Sequence, residues 1–301
     1  MFQMFQELAN AARIKMTLET RGPLLIKAGD ASPFDPALPD MYAIRTHKDG
    51  DDTVFLPGSS LKGVFRSRYE SIVNGLLAND QKCCNVTDRK KACGKYDDLE
   101  ILKKGPNSVK SKYSLSCPAC KLFGSTMIAG RIRFADAYPK EGVKPVLGHR
   151  HGVGIDRITG GSSGQAKYDY EIIEEAKFDV TIWLENYELY QMALLFQVLQ
   201  DIDDGFVGFG MGTTRGNGHM QVTDCEVTLR DYRKNLKEWR GCQKEQTLGR
   251  MMNYQDKSFY QDKGFYNETV AMSRDTIIQL LPESSKLIAD LKSDLRPKGG
   301  V

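Results

Sequence analysis

Ile14, Met16 and Leu18 alternate with polar residues, the period-two pattern of a strand with one buried face. Leu24-Leu25-Ile26 and a Gly-Asp-Ala-Ser-Pro turn follow, then a loop holding Pro33, Pro36 and Pro39. Met41 to Arg45 reads as another strand. The polar run His47 to Asp52 reads as a hairpin turn that returns through Val54-Phe55-Leu56. The period then changes. Leu61, Val64, Phe65, Tyr69, Ile72 and Leu76 recur at three- and four-residue spacing, the apolar face of a helix opening at Pro57-Gly58-Ser59-Ser60. A Ser there is expected to cap the free N–H groups, and Lys62 and Arg66, one turn apart, share the polar face.

Downstream, Arg131–Tyr138 alternates as a strand, and residues 148–168, rich in Gly and Ser, read as an extended hairpin or flexible arm. Tyr168–Leu184 alternates again. A second amphipathic helix starts near Asn186, with Leu189, Met192, Leu195, Phe196 and Leu199 on one side. The Gly-rich loop 208–218 feeds a last strand, His219–Leu229. The order strand, helix, strand, strand, helix, strand predicts an α+β fold, a ferredoxin-like (RRM-like) βαββαβ palm over residues 1–230. Residues 231–301 change character and read as an appended helical tail, with a last helix over about 275–293.

Composition narrows the chemistry. With 41% hydrophobic residues the 301-residue chain can bury a core, and no apolar run approaches the ~20 residues of a membrane span. Met1–Leu18 lacks the pattern of a signal peptide. Seven cysteines without one point to a reducing cytoplasm and to metal or free thiols rather than disulfides. Cys117 and Cys120 form a C-x2-C knuckle, the spacing with which two thiolates grip one tetrahedral zinc. Cys84 and Cys93 upstream complete a four-cysteine set, although Cys83 competes with its neighbour as ligand. The loop 81–121 is poor in aliphatic residues, so a metal would replace a core there. Its Arg89, Lys90, Lys91, Lys95, Lys103, Lys104, Lys110 and Lys112 make the lobe locally basic although the formal net charge is only +3. That basicity suits a solvated loop or a phosphate-facing patch.

Three segments occur in order: Pro57-Gly58-Ser59-Ser60-Leu61-Lys62-Gly63 running into Arg66, Cys117-x2-Cys120-x-Leu122-Phe123-Gly124, and the loop ending Arg215-Gly216-Asn217-Gly218. Together they resemble the RAMP superfamily of CRISPR systems, over about residues 10–230. His151-Gly-Val-Gly-Ile155-Asp156-Arg157 resembles the thumb hairpin of the backbone subunit of type III effector complexes, and the cysteine insertion is most similar to type III-D and single-chain type III-E members. Helix starts and Gly-rich turns present backbone N–H groups to phosphate. The resemblance implies RNA contacts by Ser59, Ser60, Lys62, Arg66, Ser125 and Arg215, a base wedge at Ile155 and a phosphate contact at Arg157.

It implies guide RNA, complementary target RNA, other effector subunits and further copies of the chain as partners. Asp40, in the loop ahead of the Pro-Gly-Ser-Ser segment, takes the place of the family's catalytic aspartate, which supports Mg²⁺-dependent cleavage of target RNA; Asp30 and Asp35 compete for that role. Two other readings remain: a non-catalytic structural or capping subunit, and a metal-independent guide-processing nuclease that uses a histidine such as His47, His149 or His151.

Overall fold

The computed structural model describes residues 7–27, 39, 41–78, 82–88, 92–94, 109–233, 239–244, 246–248 and 260–295. The first strand, β1 (Asn10–Thr20), buries Ala12, Ile14, Met16 and Leu18 as the alternation predicts. A short hairpin, β2 (Arg45–Lys48) and β3 (Asp51–Val54), turns at Asp49-Gly50, both at positive φ. Met41 and Ala43, expected inside a strand, make only isolated bridges: Ala43 to Lys27, and Met41 to Tyr170.

Helix α1 (Gly58–Leu76) buries Leu61, Phe65, Tyr69 and Val73. Two six-residue helices follow, α2 (Val109–Ser114) and α3 (Pro118–Phe123). Tyr69 meets Phe123 edge-on at 5.4 Å, and Phe65 meets Phe134 at 5.1 Å. Such pairs are worth ~0.5–1.5 kcal/mol beyond their buried area, and they set α3 and the sheet against α1.

Next come β4 (Ile132–Phe134), β5 (Tyr138–Pro139), β6 (Val146–Ile155), β7 (Ser162–Glu175) and β8 (Lys177–Glu185). The alternation of Tyr168–Leu184 spans two strands rather than one. Ala176 breaks the run: its N–H donates to Thr20 Oγ1 at 2.8 Å and its carbonyl accepts from Thr20 N at 3.0 Å. β7 therefore leaves to pair with β6, while β8 joins β1. Helix α4 (Leu189–Asp203) and strand β9 (Met220–Asp231) complete the repeat.

The sheet path β9-β1-β8-β4 is antiparallel throughout, with α1 and α4 packed together against it. This mixed α/β arrangement is consistent with a ferredoxin-like plan. The C-terminal segment is more than the helical tail expected. β10 (Tyr260–Asp262), β11 (Asn267–Thr269) and β12 (Met272–Ser273) extend the sheet beyond β9. The single last helix is two, α5 (Arg274–Leu280) and α6 (Ser284–Ser293). Pro282 follows the extended Leu281 and forces the break, because a residue before proline avoids the helical region.

Candidate nucleic-acid interface

The cysteines come together as their spacing predicts. The sulfurs of Cys84, Cys93, Cys117 and Cys120 all lie within 4.8 Å of one another, three of the residues buried and Cys84 half-buried. Zinc–thiolate bonds of ~2.3 Å place tetrahedral sulfurs about 3.8 Å apart, so the cage has the right size for zinc. Cys117 donates its backbone N–H to Cys93 Sγ at 3.3 Å. Hydrogen bonds from Cys120, Cys83, Cys84 and Cys93 hold the Cys117 thiol far below its ordinary range, while the bond with Cys117 pushes Cys120 far above it. Cys83 reaches Cys117 from outside the four-sulfur group. The donor set is therefore compatible with a zinc site.

Arg66 braces this cage. It donates to Glu70 Oε1 at 2.7 Å, to the Gly124 carbonyl at 3.0 Å and to Cys120 Sγ at 3.2 Å. Its side chain is largely covered, and these bonds tie the guanidinium, expected to meet phosphate, to the protein. Gly124 allows this turn: it sits at φ 89°, and a Cβ would lie 2.6 Å from Gly130 N. Ser125 closes the same turn, its N–H donating to Ile128 O and its hydroxyl accepting from Met127 N. Of the basic residues of the lobe, Lys112 is described as a half-buried residue of α2. Arg89, Lys90, Lys91, Lys95, Lys103 and Lys104 lie outside the described residues.

The start of α1 also differs from expectation. Its N-cap is Pro57, without a side-chain cap, and the Gly58 N–H donates to Asp136 Oδ1 at 2.7 Å. A remote carboxylate thus takes the place expected for a serine oxygen. Ser59 is exposed, and Ser60 and Lys62 are half-buried. Burial, then the nearby Arg66, lowers the Lys62 ammonium from its ordinary range.

In loop 208–218, Thr213–Arg215 form one 3-10 turn between Gly212 and Gly216, both left-handed. Gly210 packs on the chain so closely that a Cβ would sit 2.1 Å from Leu25 O. Arg215 is exposed on this turn, and among the described residues no hydrogen bond or ion pair joins its side chain to α1.

β6 and β7 form a separate two-stranded arm over 146–175, longer than the 148–168 read from composition. At its tip Asp156 Oδ1 accepts from the N–H groups of Ile158 and Thr159, both at 2.8 Å, and these bonds lower its carboxyl from the ordinary range. Arg157 is exposed, Ile155 is 69% exposed and Ile158 is 94% exposed. Ile158 was missed in the sequence, where a lone isoleucine in a Gly/Ser-rich run was the available signal. Tyr168 and Tyr170 stack at 5.9 Å on the arm, a second feature without a sequence motif. Between the β2–β3 hairpin and the arm's base runs a cleft of ≈ 920 Å³ lined by Arg45, Lys48, Tyr138, Lys140, Lys144 and Asp179 among others. Met41 sits on β7, its N–H donating to Asp169 O and its carbonyl accepting from Glu171 N. Asp40, Asp30 and Asp35 lie outside the described residues.

A family model for the RAMP superfamily matches residues 17–221, more than half of the chain and inclusive of the cysteine cage, the arm and the Gly-rich loop. The chain belongs to the RAMP superfamily. No curated protein matches the sequence. Membership of this superfamily implies a CRISPR-associated RNA-binding protein, and no described helix is long and apolar enough to cross a membrane. On this RAMP protein Arg215, Ser59 and Arg157 are exposed, whereas Arg66 and the Gly58 N–H are hydrogen-bonded within the chain.

Proposed function

We propose that this protein is the guide-RNA-binding backbone subunit of a type III CRISPR effector, and that it cleaves complementary target RNA at regular intervals in the presence of Mg²⁺. The observation that carries the reading is the arm: a hairpin of its own, ending in the exposed Ile155 and Ile158. Apolar side chains held in water forgo ~1.5–3 kcal/mol each relative to burial, and a step between two bases supplies that burial. Ile155 and Ile158 are the wedge, and Arg157 beside them meets phosphate. Ser59, Ser60, Lys62, Ser125 and Arg215 line the guide backbone, where hydroxyls, cations and exposed N–H groups suit phosphate oxygens. Arg66, expected beside them, also braces the cage. The zinc, held by Cys84, Cys93, Cys117 and Cys120, is structural.

The catalytic residue in this reading is Asp40, with Asp30 and Asp35 as its rivals. A bound Mg²⁺ supplies charge stabilisation at the scissile phosphate. Other subunits of the effector and further copies of this chain are its partners in the cytoplasm. The test is cleavage of target RNA by the assembled, Mg²⁺-supplied complex. Wild type gives a ladder of evenly spaced products, and Asp40→Ala loses the ladder with target binding unchanged. A ladder that persists in Asp40→Ala assigns the chemistry elsewhere and leaves this subunit as an RNA-holding scaffold.

A further inference from the structure

The face of the sheet turned away from α1 and α4 holds a hollow. Antiparallel register sets Arg133 of β4, Trp183 of β8, Arg13 of β1 and Thr228 of β9 in one cross-strand row. Residues directly opposite one another share a side of the sheet, so all four lie on that face. Ile132, Leu184, Ala12 and Leu229, one position along each strand, are buried on the other. The next row on the open face runs Glu185, Ala11, Arg230 and Glu268. Ala11 offers only a methyl group where its neighbours carry long side chains, so the row sinks in the middle. The space above it, ≈ 230 Å³, is bordered by Arg13, Arg133, Trp183, Arg230 and Tyr232.

Its chemistry is that of a cationic rim around one indole. Three guanidiniums and a single carboxylate, that of Glu185, line it among the described residues. Glu185 meets Arg133 at 2.5 Å on the surface, a pairing too exposed to hold either side chain firmly. Arg230 is paired with Glu268 and lies 4.7 Å from the centre of the Tyr266 ring, which in turn leans on Tyr232 at 5.3 Å. No described residue forms a hydrogen bond or ion pair with the side chain of Arg13 or with the Trp183 indole. A half-buried aromatic ring beside surplus positive charge suits a ligand with a flat π-face and an anionic group next to it. A nucleotide has both, and the net charge of the rim favours a polyanion over a protein surface. A paired base hides its faces in the stack, so the strand that fits is single.

We propose that this hollow binds one unpaired nucleotide of a single-stranded RNA, its base against Trp183 above Ala11 and its phosphates at Arg13 and Arg133. The site shares no residue with the arm, the start of α1 or the Gly-rich loop. It takes from the reading above only that the ligand is RNA, and cleavage plays no part in it.

The chain has two tryptophans, and Trp239 is buried. In a Trp239→Phe protein the indole emission therefore reports on Trp183 alone. Titration with a short single-stranded oligouridylate should quench that emission to saturation, and the same RNA annealed to its complement should not. Trp183→Ala should weaken binding of the labelled strand by about 5–150-fold, the usual worth of one stacked base, and Trp183→Phe should keep most of it. Ala11→Leu, which fills the hollow from its floor and leaves the buried side of the sheet untouched, should weaken binding as well. In the unmutated chain, ultraviolet cross-linking should join the strand to the peptide carrying Trp183, a readout that does not depend on Trp239→Phe folding. RNA bound with Trp183 emission unchanged, and every cross-link on the arm or the Gly-rich loop, overturns this inference alone. An indole that responds only to other effector subunits, without RNA, marks a protein interface and overturns it too. No RNA bound by the unmutated chain overturns the RNA-binding reading and this inference with it.

Discussion

Glu188 shows how one buried carboxyl sets a pH dependence. It caps α4 in a reciprocal box with Gln191 and also accepts the N–H groups of Gln243 and Lys244. Burial pushes its carboxyl up to about 7 from an ordinary 4.5, against the pull of those donors and of Arg131. The folded chain therefore keeps a proton that the unfolded chain releases near 4.5. Between about 4.5 and 7 the folded state binds more protons, so stability declines as pH rises through that window and levels above it. We expect Glu188→Gln to flatten that decline, which is on the order of 2–3 kcal/mol. Denaturant unfolding at pH 5 and pH 8 measures it; an equally steep loss in the variant would assign the slope to other groups. At this scale the sequence was only partly legible. Cys117 and Cys120 announce themselves by spacing. Asp136, which caps α1, does not, because it meets Gly58 from another part of the chain.

Among elements, the cysteine cage is the one whose stability depends on something other than apolar packing. Zinc bound to such a set contributes on the order of 10 kcal/mol to folding. Chelation should therefore open residues 81–121 to protease while the sheet stays resistant, and Cys117→Ser should lower bound zinc in the purified protein. Unchanged cleavage after chelation would count against a metal there. The elements legible in the sequence were the long periodic ones, β1, α1, α4 and β9, and the arm, through its Gly and Ser content. The rest failed for identifiable reasons. Tyr168–Leu184 keeps one alternation through a change of partner, because the decisive event is the Thr20–Ala176 clamp and not a change of period. β10–β12 are two or three residues long, too short to display any period. The α5–α6 break was written in Pro282.

At the scale of the whole molecule, the C-terminal segment is joined to the cage. Lys121, next to Cys120 and 2% exposed at its side chain, donates to the Asp294 carbonyl and to Asp294 Oδ1 at 3.1 Å. Tyr190 of α4 donates to the other carboxylate oxygen at 2.5 Å. Asp294→Ala strands a buried ammonium, and breaking such a pair costs about 3–5 kcal/mol. Equilibrium unfolding should show that loss, with part of it recovered when Lys121→Met is added. A variant as stable as wild type would mean that Lys121 finds water instead. The fold plan was legible because its strand and helix order is carried by periodic segments; this long-range closure was not, since Lys121 fills a variable position of the cysteine motif and Asp294 belongs to no motif.

The position of β1 has a consequence for the chain as it is made. Ile14 lies opposite Ile182 on one side and Val227 on the other, so β1, made before both of its neighbours, is an interior strand of the sheet. At ~5–20 residues per second the stretch from Thr20 to Lys177 takes roughly 8–30 s to emerge, and β1 lacks both neighbours through that time. Its apolar stripe of Ile14, Met16 and Leu18 is a nascent-chain liability through that interval. The two strands of the arm, by contrast, find each other locally in sequence and can close as soon as Glu175 clears the ribosome, so the arm forms before the sheet that holds it.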